Sequence, residues 1–159
     1  PYFLSGQFDA DPSLLMSARK RNDQMPAHTA DMIGAILQES GTAFSNARIL
    51  LLGITYKANI AELRNAPAVP LTEHLLDEGA TVYGVDPLVE DWEDIDQLQP
   101  LSLEAALDRT VDVVVLVTPH EEFLGLDWTE FDAPILDGRD AIDADSAETS
   151  VYTIGGEWP

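Results

Sequence analysis

There is no cysteine in this sequence. Disulfides, thiolate metal sites and cysteine nucleophiles are therefore excluded for the chain. Positive charge is almost as scarce: eight Lys and Arg stand against 29 Asp and Glu, the formal charge is -21, and Lys20 and Lys57 are the only lysines. Phosphate backbones need a basic face, so nucleic acid is not expected as a partner. Self-repulsion on this scale opposes compaction unless salt screens it, and at molar salt the screening length falls to about 3 Å. The composition is that of a salt-accumulating halophile. Long hydrophobic runs are missing too. No window approaches the roughly 18 apolar residues that cross a bilayer, and no basic-then-apolar signal segment opens the chain. A cytoplasmic protein with no membrane partner is expected.

Several motifs are absent as well. The dinucleotide fingerprint G-x-G-x-x-G does not occur; after the first strand there is only Gly53, followed by a long loop rich in side chains. His28, His74 and His120 lie far apart and none pairs with another ligand at helical spacing, so no metal site is expected, and His120 reads as a first-turn surface residue. Ser5, Ser13, Ser17 and Ser146 have no nucleophile-elbow context.

What is present fits one core with an appended helical segment, at 159 residues. The start at Pro1, with the apolar PYFL and no methionine, reads as the interior of a longer protein. Residues 1–41 are expected to be the end of a helical segment and 47–159 an α/β domain. Pro1 to Asp11 reads as irregular. Leu14, Leu15, Ala18, Met25, Met32, Ile33, Ile36 and Leu37 recur at helical spacing up to Ser40, with Asp11 as N-cap and Gly41 as the stop. Pro26 sits inside this pattern and removes the bond to the Asn22 carbonyl, which gives either one bent helix or two segments meeting there. The apolar stripe must lie on something: its own domain, a second copy or a neighbouring domain. Arg19, Lys20 and Arg21 on this helix read as a solvated face or an interface.

Ile49 to Leu52 is an aliphatic run of the kind that forms a strand buried on both faces. A helix from Pro67 to Gly79, a strand Thr81 to Val85 ending at Asp86-Pro87, an acidic loop or ragged helix over Glu90 to Gln99, and a helix Leu103 to Arg109 capped by Ser102 follow. Val111 to Val117 predicts a central strand, and Thr118, Pro119 and Glu121 a capped short helix. Pro134 to Leu136 and Val151 to Ile154 predict two more strands. The alternation predicts a Rossmann-like, open, mainly parallel α/β sheet with helices on both faces, preceded by the long helix.

Ligands of such sheets bind beyond the carboxyl ends of the strands, where strand order reverses. Lys57, Arg64 and Arg139 fall in those loops, which in so acidic a chain points to an anion. The competing reading pairs each with a nearby carboxylate, Glu62 for Arg64 and Asp137 for Arg139. Asp86 could mimic a ribose-binding acid, although Asp-Pro more often makes a turn. Trp92, Trp128 and Trp158 serve equally as core or interface fillers.

The stretch GITYKANIAELRNAPAVPLTEHLLDEGATVYGVDP, with LVTPHEEF and ILDGRD after it, resembles the C-terminal domain of the UDP-glucose/GDP-mannose dehydrogenase family. PYFL and the helix with ARKRND and MP resemble the segment after the family's catalytic cysteine, in the form of its UDP-N-acetylmannosamine dehydrogenases. The resemblance covers nearly the whole chain. It implies a nucleotide-sugar 6-dehydrogenase that oxidises a C6 alcohol to a uronic acid with two NAD, bound mainly by an N-terminal domain not in this chain. It further implies Tyr56, Lys57 and Arg139 on the UDP-sugar, Arg64 reaching the NAD pyrophosphate across the cleft, no catalytic residue here, and a homodimer through the 12–40 helix. Ala61, Glu62, Asn65 and Ala66 depart from the family pattern; Ala66 forgoes an N-cap, on the order of 1 kcal/mol. Two other readings remain. A receiver-type regulatory module would need an acidic pair where Gly53 and Ile54 stand, and a purely structural dimerisation domain would bind no UDP.

Overall fold

The computed structural model of the chain describes residues 11–92, 95 and 97–156. The irregular opening expected for Pro1 to Asp11 lies, except for Asp11, outside them. The chain runs through helices α1 (Ser13–Asp23) and α2 (Met25–Glu39), strand β1 (Arg48–Leu52), α3 (Ala68–Asp77), β2 (Thr81–Val85) and β3 (Gln99–Pro100). It continues with α4 (Leu103–Leu107), β4 (Val113–Leu116), α5 (Glu121–Leu124), β5 (Ile135–Asp137) and β6 (Val151–Thr153).

The sheet is organised around β1 and β4, which pair in parallel at its centre. Their side chains alternate between two apolar layers. Ile49, Leu51, Val113 and Val115 pack with Ile33, Ile36 and Leu37 of α2 and with Leu71 and Leu75 of α3. Leu50, Leu52, Val114 and Leu116 pack with Ala106 of α4, Phe123 of α5, Trp128 and Phe131. Burial on both faces is why these strands read as unbroken aliphatic runs, and each fully buried aliphatic side chain contributes about 1.5–3 kcal/mol. The helices cover both faces, as expected of the fold class.

The strand order is β3-β2-β1-β4-β5-β6 and every pair is parallel. From β1 the chain leaves through α3 toward β2; from β3 it returns through α4 to the other side of β1. The switch point therefore lies between the carboxyl ends of β1 and β4. Leu52 is level with Val85 and Leu116, and Leu116 with Asp137. This register puts Gly53, Asp86, Val117 and Gly138 in a row along one edge.

Of the two forms open to the long helical pattern, the structure has two segments meeting at Gln24, and Pro26 takes a place in the first turn of α2 where no N–H is needed. Other expectations need correction. Strand β3 was not expected: it is two exposed residues at a sheet edge, one of them proline, held by pairing with Tyr83 and Gly84. Thr118 does not cap the next helix; His120 occupies that place, and Thr118 Oγ1 donates to the Thr55 carbonyl at 2.7 Å. His120 is not at the surface but fully buried, as described below. Gly41 does end α2, at φ +73°, with Thr42 N–H donating to Leu37 O at 2.9 Å and Gly41 N–H to Gln38 O at 3.1 Å, a Schellman pattern. The stripe of α2 lies on its own sheet. α1 buries no residue, and Leu14 is 82% exposed and Leu15 43%.

Candidate functional site

The loop after β1 begins at Gly53, whose φ is +84°. A Cβ there would lie 2.1 Å from the Thr118 carbonyl oxygen, so the closeness of the β1 and β4 ends admits only glycine. The loop is then held from below by the Asp86 carboxylate at the end of β2. Asp86 Oδ2 accepts from Ile54 N–H at 2.6 Å and Thr55 N–H at 2.9 Å, and Oδ1 from Leu88 N–H at 2.9 Å. Burial works against the charge, but the three N–H donors and His120 outweigh it, and the Asp86 pKa sits below its ordinary value. The Asp-Pro turn is thus real, and its carboxylate also organises the neighbouring loop.

His120, with none of its surface exposed, lies between the two. Its Nε2 is 3.1 Å from Asp86 Oδ2 and 2.9 Å from Thr55 Oγ1, and its Nδ1 accepts from Asn59 N–H at 3.1 Å. Within the loop, Tyr56 N–H donates to Glu62 O at 2.7 Å and Lys57 bridges to Ile60. Asn59 and Asn65 take positive φ, a conformation asparagine tolerates better than most residues.

Arg139 is set by a second buried carboxylate. Asp137, at the end of β5, accepts from the N–H groups of Arg139 (2.8 Å), Ala141 (2.6 Å) and Ile142 (2.8 Å). Both its oxygens accept from backbone, and it makes no ion pair with the guanidinium. Arg139 Nε donates instead to Val117 O at 2.7 Å, bringing the side chain back over the end of β4. The Lys57 ammonium stands 5.7 Å from the centre of the Tyr56 ring. Among the described residues no carboxylate pairs with Lys57 or Arg139. Arg64 differs: it is 84% exposed and bound to Glu62 at 2.8 and 3.2 Å, the pairing weighed from the sequence. That guanidinium holds the Glu62 carboxyl below its ordinary pKa.

Tyr56, Lys57 and Arg139 line one cavity of about 620 Å³, bounded by the loops after β1, β4 and β5 and by the junction of α1 and α2. Arg64 does not line it. Among the described residues three of the eight basic side chains face this cavity, Arg19 being the third, against one carboxylate, Asp23. Arg19 Nε is 2.9 Å from Asp23 Oδ1, an ion pair along one face of α1. Arg19, Asp86 in its organising role and His120 are not legible as site residues from local sequence. The signal available for Asp86 and His120 was position alone, at the carboxyl ends of β2 and β4.

The turn after β1 does not fit a dinucleotide. The N–H groups of Ile54 and Thr55, which a pyrophosphate would use in such a turn, are both taken by Asp86. An anion reaching this edge meets side-chain cations instead.

Residues 50–144 match the model of the UDP-glucose/GDP-mannose dehydrogenase family, UDP binding domain, and the match includes Tyr56, Lys57, Arg64 and Arg139. The UDP-N-acetyl-D-mannosamine dehydrogenase of Pyrococcus horikoshii is 31% identical over 147 residues, covering 89% of this chain and 33% of that protein. The UDP-glucose 6-dehydrogenase of Rickettsia bellii is 30% identical over 159 residues, covering 92% of this chain and 36% of that protein. Among solved structures, that of the Pyrococcus horikoshii UDP-D-ManNAc dehydrogenase superposes with a TM-score of 0.78 at 28% identity, over 92% of this chain and 34% of that one. The NDP-N-acetyl-D-galactosaminuronic acid dehydrogenase of Methanosarcina mazei gives 0.78 at 27%, over 94% and 33%. The chain spans about a third of the length of these relatives. It belongs to the UDP-glucose/GDP-mannose dehydrogenase family, whose UDP binding domain it carries.

Proposed function

We propose that this chain is the nucleotide-sugar-binding portion of an NAD-dependent nucleotide-sugar 6-dehydrogenase of the UDP-N-acetylmannosamine or UDP-glucose type. One observation carries the reading. In a chain of charge -21, Lys57 and Arg139 stand, among the described residues, without carboxylate partners on the wall of one cavity at the sheet's switch point. Its volume is within the range of small-molecule sites, about 300–1,000 Å³.

In this reading the diphosphate lies between the Lys57 point charge and the Arg139 fork, with the start of α3 adding partial positive charge from Asn65 to Pro67. Tyr56 offers its ring to the nucleotide. Holding the diphosphate fixes where the sugar C6 projects, and the contribution to rate is one of positioning. The oxidation itself, with reduction of two NAD, belongs to residues outside this chain, as does most of the NAD site. Arg64, exposed on the same loop, would exchange Glu62 for the NAD pyrophosphate across the cleft. Residues 1–41 form the end of the central segment and 47–159 the binding domain. The exposed apolar side chains of α1 support a homodimer contact through the 12–40 segment. The protein works in the cytoplasm of a halophile, in polysaccharide biosynthesis.

Lys57→Ala and Arg139→Ala each remove a charge-assisted contact of about 1.5–3 kcal/mol, so each is expected to weaken UDP binding about 10- to 100-fold in calorimetric titration. Unchanged affinity in both variants would overturn the assignment.

A further inference from the structure

We propose that His120 is a positioning residue for nucleotide binding: it holds the Tyr56–Lys57 loop in its binding conformation through a single, defined imidazole tautomer. The inference rests on the nucleotide-binding reading for its consequence, though not for its geometry.

A backbone N–H can only donate. Asn59 N–H points at His120 Nδ1 from 3.1 Å, so Nδ1 carries no proton and the neutral ring has its proton on Nε2. That Nε2–H finds Asp86 Oδ2 at 3.1 Å and Thr55 Oγ1 at 2.9 Å, both able to accept. Asp86 Oδ2 also accepts from Ile54 and Thr55 N–H. The loop is thereby fastened at residues 54 and 55 on one side of Tyr56–Lys57 and at residue 59 on the other. Tyr56 and Lys57 themselves are exposed and line the cavity, while the groups that fasten them are beneath it. The ring orientation is fixed in turn by Phe123, whose ring meets the imidazole edge-on at a centroid distance of 5.6 Å.

A doubly protonated ring would set Nδ1–H against Asn59 N–H, two donors facing each other, and release the Asn59 end. From β2 the group facing the imidazole is the Asp86 carboxylate. From the turn into α5, Glu121 reaches the Asn59 side chain at 3.4 Å. From the β1 loop the facing groups are the Thr55 hydroxyl and the Asn59 amide, and Thr118 turns its hydroxyl to Thr55 O.

Two substitutions separate the two nitrogens. In His120→Asn the amide oxygen replaces Nδ1 as acceptor for Asn59; in His120→Gln the amide NH2 replaces Nε2 as donor to Asp86 and the Nδ1 acceptor is lost. The ligand-free measurement is the ¹⁵N shift of the His120 ring and the exchange protection of the Asn59 amide in this chain. We expect an unprotonated Nδ1 at pH 8, and an Asn59 protection that persists in His120→Asn and is lost in His120→Gln. The probe for binding is UDP-glucose, whose diphosphate diester does not titrate between pH 5 and 8. Its affinity at pH 8 should fall about tenfold in His120→Gln and stay within about threefold in His120→Asn. A protonated Nδ1 at pH 8, or equal Asn59 protection in the parent and His120→Gln, would overturn the proposal. Normal loop protection without UDP-glucose binding by the parent would overturn the nucleotide-binding role while leaving the tautomer assigned. A folded His120→Gln that binds as tightly as the parent would sink the positioning role.

Discussion

Replacing Asp86 by Asn keeps the volume and exchanges one oxygen for NH2, which makes it a clean probe of the edge on which the site is built. The Oδ2 position serves Ile54 N–H, Thr55 N–H and His120 Nε2, and the Oδ1 position serves Leu88 N–H. The side-chain oxygen of Asn will take the richer position, leaving NH2 against the Leu88 donor. An unsatisfied buried donor costs about 1–3 kcal/mol, and the remaining bonds lose the part that charge gave them, offset by relief of a buried carboxylate. The net loss is about 2–4 kcal/mol, a large share of the roughly 5–15 kcal/mol that holds a domain together, or about 5–15 °C in Tm. The assay is urea unfolding in molar KCl across pH. Because the folded-state pKa of Asp86 lies below its ordinary value, its contribution is present above the unfolded pKa and is lost as pH falls through the folded one. The gap between parent and Asp86→Asn should therefore be flat from neutrality down to about pH 5 and close below about pH 4. Raising KCl further should leave it unchanged, since a buried hydrogen bond is not screened as surface charge is. A gap under about 0.5 kcal/mol at pH 7, or one that widens on acidification, would refute the reasoning.

Two further substitutions bear on the same loop. Gly53→Ala places a methyl group 2.1 Å from the Thr118 carbonyl at a φ of +84°, so the β1 and β4 ends must part; a loss above about 2 kcal/mol in the same unfolding assay is expected, and parent-like stability would contradict the packing described. Arg64→Ala removes an exposed, solvent-screened ion pair outside the cavity wall, so the unfolding midpoint should stay at the parent's and UDP affinity should change by less than about threefold, checked by unfolding and titration.

The fold was legible where burial leaves a continuous trace in the chain. Strands β1 and β4 are aliphatic because both faces are covered, and the apolar runs give them within a residue or two. Lys57 and Arg139 were legible as cavity residues because strand ends at a switch point gather loops distant in sequence and few cations were available to choose among, whereas Tyr56 came only with the family resemblance. What failed depended on partners far along the chain. His120 looks like a helix-start surface residue until Asp86 and Thr55, 34 and 65 residues away, give its ring two polar partners inside the core. Thr118 had the sequence of a cap but turns to a carbonyl 63 residues back. Strand β3 carries no hydrophobic period, since an exposed edge pair needs only backbone registry. Arg19 reads as a solvated helix residue because nothing local says that the α1–α2 junction walls the cavity.

The most direct test of the central claim is calorimetric titration of UDP into the folded chain in molar KCl, with NAD as the parallel ligand. The account predicts a single UDP site whose affinity collapses when Lys57 and Arg139 are removed together, and no comparable NAD binding. Absence of UDP binding by folded protein, or NAD binding as tight as UDP, would contradict it.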